Sequence, residues 1–168
     1  MRLVNIYEIT NEQKEAFDCG NKQLNDYFKL FAKQNDAKNL GKTYVGLEGN
    51  KIVGYFTLVA SLLKYKDIDP IMIRHYPKYP IPCLLIARFA IDEKYKNSGY
   101  GAKLLKHIFI KFVTVSDLIG CNFLLVDSKV ESLGFNKKFG FESISLNSST
   151  LVIHVDTIIK AIKQATKK

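Results

Sequence analysis

Two glycines one residue apart, Gly99 and Gly101, stand between an apolar run and the start of an amphipathic one. Ala87-Arg88-Phe89-Ala90-Ile91 leads in, a polar stretch runs from Asp92 to Ser98, and Tyr100 to Leu105 opens a helical pattern. Parts in that order make a site for a phosphate. Glycine lets a backbone turn and approach a ligand closely, and the first amides of a helix have no intrahelical acceptor. Their N–H groups, reinforced by the helix dipole, face an anion.

Three nucleotide-binding motifs share this logic. A dinucleotide fingerprint requires a third glycine three residues after the second, where this chain has Leu104. A Walker loop requires Gly-Lys-Ser or Gly-Lys-Thr, whereas Gly101 is followed by Ala102, Lys103 and Leu104. What remains is a basic residue followed by x-x-G-x-G, from Lys96 to Gly101, after a strand and before a helix. With its Arg-Phe-Ala-Ile-Asp lead-in, the segment resembles motif A of the GNAT superfamily of acyl-CoA-dependent N-acyltransferases. That family usually carries Gln or Arg where this chain has Lys96. A second block, Val126 to Phe141, is similar to the late strand–helix of the superfamily, which ends in F-Y-x-x-x-G-F. The N-terminal half, with Phe17-Asp18-Cys19-Gly20-Asn21 and Gly54-Tyr55-Phe56-Thr57-Leu58, resembles a subgroup that includes toxin acetyltransferases acting on aminoacyl-tRNA.

The resemblance implies acetyl-CoA as co-substrate and a role for each part. Phe89, Ala90 and Ile91 would exchange main-chain hydrogen bonds with pantetheine, and an amide of the same strand would polarise the thioester oxygen. The loop Lys96, Asn97, Ser98, Gly99, Tyr100, Gly101 and Ala102 would take the pyrophosphate through its amides. In F-Y-x-x-x-G-F the tyrosine commonly protonates the departing thiolate, but Phe135 is followed here by Asn136, whose amide is no proton donor. Either the thiolate leaves unaided or helped by water or another residue, or the site binds coenzyme A without turnover. Glu131 and Asp127 are candidates to accept the substrate proton, and equally are capping or solvated carboxylates. His75 lies in a basic aromatic stretch that is either a plain surface loop or able to stack on a base or contact phosphate; His107 on a helix and His154 in a strand have no triad partner at a telling spacing. Lys138 is either a phosphate contact or a solvent-facing cation.

These residues need a scaffold to hold them. Leu3 to Ile9 alternates at period two and reads as a strand. Asn21 caps a helix carrying Leu24, Tyr27, Phe28 and Phe31. Thr43–Leu47 and Ile52–Ala60 form a hairpin about Glu48-Gly49-Asn50-Lys51. All four prolines fall in a looser stretch from Lys64 to Pro82. Cys83–Ile91 is apolar enough for a central strand. Leu104, Leu105, Ile108, Phe112 and Val115 mark one face of the next helix, and Phe123–Asp127 is a further strand. A short helix from Glu131 to Phe139, a strand Thr150–Val155 and a basic amphipathic tail Asp156–Lys168 complete the order. This is an α/β (α+β) pattern, and the resemblance implies a mixed, mostly antiparallel sheet with helices on both faces.

At 168 residues the chain fits a single N-acetyltransferase domain, 1–168. No leader or apolar run long enough for a membrane span is visible, and Cys19, Cys83 and Cys121 show no metal or disulfide spacing. A cytoplasmic protein without metal or membrane partner is expected. The net charge of +9 is absent from residues 1–50 and concentrated after them. A coenzyme with three phosphates, nucleic acid or simple solvation by lysine would each explain it. The expected activity is direct acetyl transfer to an amine on a small molecule, peptide or protein. Acetylation of the amino acid on charged tRNA is the first alternative and a non-catalytic coenzyme A-binding module the second; a homodimer is allowed.

Overall fold

The computed structural model describes residues 1–146 and 148–165. Strand β1 is Arg2–Asn5, shorter than the alternation predicts. Asn5 ends it as a cap: its Oδ1 accepts from the Tyr7 amide at 3.2 Å while its own N–H donates to Glu8 Oε1 at 2.8 Å. A 3-10 turn, Ile6–Glu8, follows. Helix α1, Asn11–Ala16, is absent from the sequence reading because it buries no residue and so carries no apolar stripe. Its start is nevertheless written in Thr10 and Gln13, which form a reciprocal capping box.

Asn21 caps α2 (Lys22–Asp26) as expected, accepting from the Leu24 amide at 3.1 Å. The helix continues through a π-helical turn, Tyr27–Phe31, into α3 (Ala32–Ala37). Strands β2 (Lys42–Glu48) and β3 (Lys51–Leu63) pair antiparallel, with Glu48 opposite Lys51 across a turn whose Gly49 has φ +56°. The proline-rich stretch holds α4 (Pro70–Ile73) and enters β4 (Ile81–Ile91). Helix α5 spans Tyr100–Leu118 and buries Leu104, Leu105, Ile108 and Phe112. Then come β5 (Phe123–Asp127), α6 (Val130–Lys138), the two-residue β6 (Glu142–Ser143), β7 (Thr150–His154) and α7 (Val155–Ala165). The predicted tail is therefore a helix with Ile158 buried; Lys167 and Lys168 lie outside the described residues.

The strands form one mixed α/β arrangement, a seven-stranded sheet in the order β1-β2-β3-β4-β5-β7-β6. Hairpin chemistry and short connections make it mostly antiparallel, as the β1–β2, β2–β3, β5–β7 and β7–β6 pairings show. The chain condenses into two compact units, Met1–Val59 with Ile86–Ile108, and Ala60–Leu85 with the chain from Phe109 onward. The core of the first joins Val4, Val45, Leu47 and Ala90 of the sheet to Phe17, Phe28 and Ala32. Tyr55 is its centre: the ring stacks on Phe28 at 4.4 Å and meets Phe17 edge-on at 5.6 Å. Each such pair contributes about 0.5–1.5 kcal/mol beyond burial, and the Tyr55 hydroxyl donates to the Leu24 carbonyl at 2.7 Å. The core of the second joins Leu63, Ile73, Ile81, Cys83, Phe123 and Val152.

Candidate active site

In the first unit, β4 ends at Ile91 and its next residue, Asp92, turns inward. The buried Asp92 carboxylate accepts from the Lys94 amide at 3.0 Å and from the Asp18 amide at 3.1 Å. This fixes the 3-10 turn Glu93–Tyr95 and starts the loop at a defined point. Two loop residues are left-handed, Asn97 at φ +59° and Gly99 at φ +80°. Asparagine and glycine are the residues that tolerate this region. Nothing lies within 4 Å of where a Gly99 side chain would begin.

Lys103 is the first residue whose amide turns back into the helix, donating to the Gly99 carbonyl at 3.2 Å. Among the described residues, the amides of residues 97–102 before it make no well-formed backbone hydrogen bond. Successive backbone N–H groups around a left-handed residue form an anion-binding concavity, and the 19-residue α5 adds its N-terminal field. The segment thus fits a pyrophosphate in both shape and charge. Tyr100, the first residue of α5, stands edge-on to Tyr95 at 5.4 Å and beneath the Lys103 ammonium at 4.8 Å. Lys96 behaves differently from the amides. Its ammonium donates to the Cys19 carbonyl at 2.8 Å and faces Glu93 Oε1 at 3.5 Å.

On β4 the Ala90 side chain is buried, while Phe89 and Ile91 are half-buried. The strand is approached closely by β3, since a side chain on Gly54 would meet the Ala90 carbonyl oxygen at 2.5 Å. The exposed Arg88 lies over the Tyr27 ring at 4.8 Å. Sequence reasoning missed this pairing, as it missed the grip of Asp92 on the Asp18 amide. Neither has a local spacing that would reveal it.

In the second unit, Asn136 is buried on α6 and its Nδ2 donates to Ser128 Oγ at 3.0 Å. Glu131 is exposed in the first turn of the same helix, and Lys138 is exposed in the last. Asp127 accepts from the Thr150 hydroxyl at 2.7 Å, so one of its oxygens is engaged in joining β5 to β7. His154 is linked through Nε2 to the Tyr76 hydroxyl at 2.9 Å, and Tyr76 donates to Asn122 Oδ1 at 3.0 Å. His75 accepts from Arg74 Nε at 2.9 Å. Burial pushes the Cys83 thiol up to about 12 and raises those of Cys19 and Cys121, which makes them poor nucleophiles. A cleft of about 690 Å³ lined by Lys66, Asp69, Pro70, Ile144, Leu146 and Thr150 contains none of the predicted site residues. Among the described residues, no three His, Cys, Asp or Glu side chains are grouped to hold a metal, and no helix is long and apolar enough to cross a membrane.

The sequence profile of the acetyltransferase (GNAT) family matches residues 3–141. The chain belongs to the GNAT acetyltransferase family. It is accordingly an enzyme, an acyltransferase with acetyl-CoA as its donor. Among curated proteins it is similar to a tRNA-acetylating toxin of Mycobacterium tuberculosis, 28% identical over 128 residues and 76% of each chain. It is equally similar to a probable toxin TacT of Sinorhizobium fredii, 28% identical over 130 residues, 75% of this chain and 71% of the relative. The same GNAT fold is found in AtaT complexed with acetyl-methionyl-tRNAfMet. That match has a TM-score of 0.84 at 20% identity and covers 96% of this chain and 98% of the other.

Proposed function

We propose that this GNAT enzyme acetylates the amine of an amino acid carried on tRNA, taking residues 1–168 as one N-acetyltransferase domain. The observation that carries the reading is the likeness to a tRNA-acetylating toxin over three quarters of the chain. The basic excess after residue 50 agrees with a polyanionic acceptor. This replaces the broader expectation of an unspecified small-molecule, peptide or protein amine.

Phe89, Ala90 and Ile91 of β4 are assigned the pantetheine arm, and the amides from Asn97 to Ala102, which make no well-formed backbone hydrogen bond among the described residues, the pyrophosphate. Acetyl-CoA supplies the activated acyl group: a C–N bond forms at the acceptor amine, the C–S bond breaks, and sulfur leaves with the electron pair. The chain's part is to hold the donor in register and to orient a strand amide toward the thioester oxygen, where negative charge develops. Asn136 supplies no proton to the sulfur, so the thiolate leaves as the anion or takes a proton from water. General acids contribute typically about 10²–10⁴-fold, and an enzyme without one is expected to be slower than relatives that keep the tyrosine. Glu131 is assigned the acceptor proton, directly or through water.

The test is an assay of purified protein with labelled acetyl-CoA against charged tRNAs, uncharged tRNA and free amino acids. Label on charged tRNA alone, falling steeply with added salt, is the expected result. Label on free amines with none on tRNA would return the acceptor to the broader class. Tight acetyl-CoA binding with no transfer would point to a coenzyme-binding module.

A further inference from the structure

The coenzyme loop has little to hold it from within. Its amides are left for a ligand, and its internal bonds near the glycines are the Ser98 hydroxyl to the Lys96 carbonyl at 3.2 Å and the first helical bond at Gly99. Such a loop binds well only if something outside fixes it before the ligand arrives. The turn Asp18-Cys19-Gly20, more than seventy residues earlier in the chain, meets the loop's entry at four points. The Asp18 amide donates to Asp92 Oδ2 at 3.1 Å, and the Glu93 amide donates back to the Asp18 carbonyl at 2.9 Å. Lys96 donates to the Cys19 carbonyl at 2.8 Å. The Glu93 carboxylate, the other partner of Lys96, occupies the space where a side chain on Gly20 would begin, at 2.2 Å.

The turn is rigid enough to serve as an abutment. Asp18 Oδ1 accepts from the Gly20 amide at 2.8 Å and from Asn25 Nδ2 at 2.6 Å. Asn25, in α2, accepts in turn from the Cys19 amide at 3.0 Å. Gly20 itself is left-handed, at φ +74°, and a side chain there would evict Glu93 whatever else it did.

We propose that the Asp18–Gly20 turn positions the coenzyme loop through Lys96, whose ammonium braces the loop instead of contacting phosphate. This rests on the assignment of the 97–102 amides to the coenzyme. Lys96 and Gly20 are thus positioning residues, and their effect is confined to the pyrophosphate end of the ligand.

The experiment is a calorimetric double-mutant cycle with Lys96→Met, Gly20→Ala and both together, alongside Gly99→Val. Each protein is titrated with acetyl-CoA and with S-acetylpantetheine, which lacks the pyrophosphate, well below its measured melting temperature. A charge-assisted hydrogen bond of this kind corresponds to about tenfold in affinity. Each single variant should therefore bind acetyl-CoA about tenfold more weakly, and the double variant no more weakly than the worse single one. Affinity for S-acetylpantetheine should be unchanged, which a general loosening of the fold would not give. A Lys96→Met defect with Gly20→Ala binding as wild type would make Lys96 a phosphate ligand and overturn the proposal. Unchanged acetyl-CoA affinity in both singles, with Gly99→Val defective, would overturn it while leaving the loop assignment standing. Normal acetyl-CoA binding by Gly99→Val would remove the loop assignment and the proposal together. Should Gly20→Ala fail to fold, Asp18→Asn takes its place in the cycle, with the same outcomes.

Discussion

Asn136 Nδ2 donates to Ser128 Oγ over 3.0 Å, and the Ser128 hydroxyl donates in turn to the Lys129 carbonyl at 3.1 Å. Both side chains are buried. The position where the resemblance puts the family's tyrosine therefore makes a buried polar contact between α6 and Ser128, two residues before its start. An amide held in this way is expected to serve packing, since it has no acidic proton to give. Asn136→Ala should keep kcat within about threefold of wild type while costing about 1 kcal/mol of stability for the lost bond. That corresponds to roughly 2–4 °C in melting temperature for a domain this size. A fall of about 10² in kcat, as for a general acid, at unchanged melting temperature would make Asn136 part of the chemistry.

Substitution at Gly99 is expected to separate ligand binding from folding. Its φ of +80° disfavours any other residue, yet no atom lies within 4 Å of an added side chain. Gly99→Val should therefore cost only about 1–2 kcal/mol of backbone strain while the valine fills the concavity in front of the free amides. Acetyl-CoA affinity should fall at least about tenfold, measured by calorimetry, with the circular-dichroism spectrum unchanged. Undiminished affinity would show that the pyrophosphate lies elsewhere.

Local patterns made much of this molecule legible in the sequence. Short apolar runs about a turn placed β2 and β3, further apolar runs placed β5 and β7, the one-sided spacing of Leu104, Leu105, Ile108 and Phe112 placed α5, and the Gly99–Gly101 pair marked the loop, because each depends on neighbours in the chain. Helix α1 escaped because it has no buried face, though Thr10 and Gln13 announced its start. The first strand was read four residues past its end because Asn5 and Glu8 compete for the backbone through side-chain hydrogen bonds that hydrophobic periodicity does not register. Partnerships between distant segments were out of reach altogether. The Lys96 ammonium meets the Cys19 carbonyl 77 positions away, and no local spacing announces that contact.

The acid limb of stability should run through Asp18. Hydrogen bonds from the Gly20 amide and then from Asn25 hold its carboxyl below the ordinary 3.8. Glu48 is held below its ordinary 4.5 by its hydrogen bond to the Met1 amino group and by that group's charge. For both, the folded value lies below the unfolded one. The stability they add is fully present above the unfolded value and is lost as pH falls toward the folded value. Urea midpoints should thus be insensitive to these groups above about pH 5 and decline below about pH 4. In Asp18→Asn the protein should be less stable at neutral pH and its acid decline shallower. Parallel curves for the two proteins would show that Asp18 titrates alike in both states.

Gly54 tests whether the spacing of β3 and β4 matters to the donor's thioester end. A side chain there would begin 2.5 Å from the Ala90 carbonyl oxygen and 3.3 Å from the Ile91 Cα, both backbone atoms that move only if the strand moves. Overpacking of this kind costs about 1–3 kcal/mol, or roughly 2–12 °C in melting temperature. Gly49 is the control: it is left-handed at φ +56° with no atom within 4 Å, so Gly49→Ala meets backbone strain alone. Displacing Ala90 and Ile91 should also disturb the main-chain groups assigned to pantetheine. Gly54→Ala is therefore expected to weaken S-acetylpantetheine binding about tenfold or more, with Gly49→Ala unchanged. Equal loss of stability in both variants would show that β3 yields without moving β4. Normal S-acetylpantetheine affinity in a destabilised Gly54→Ala protein would place the pantetheine arm away from Ala90 and Ile91.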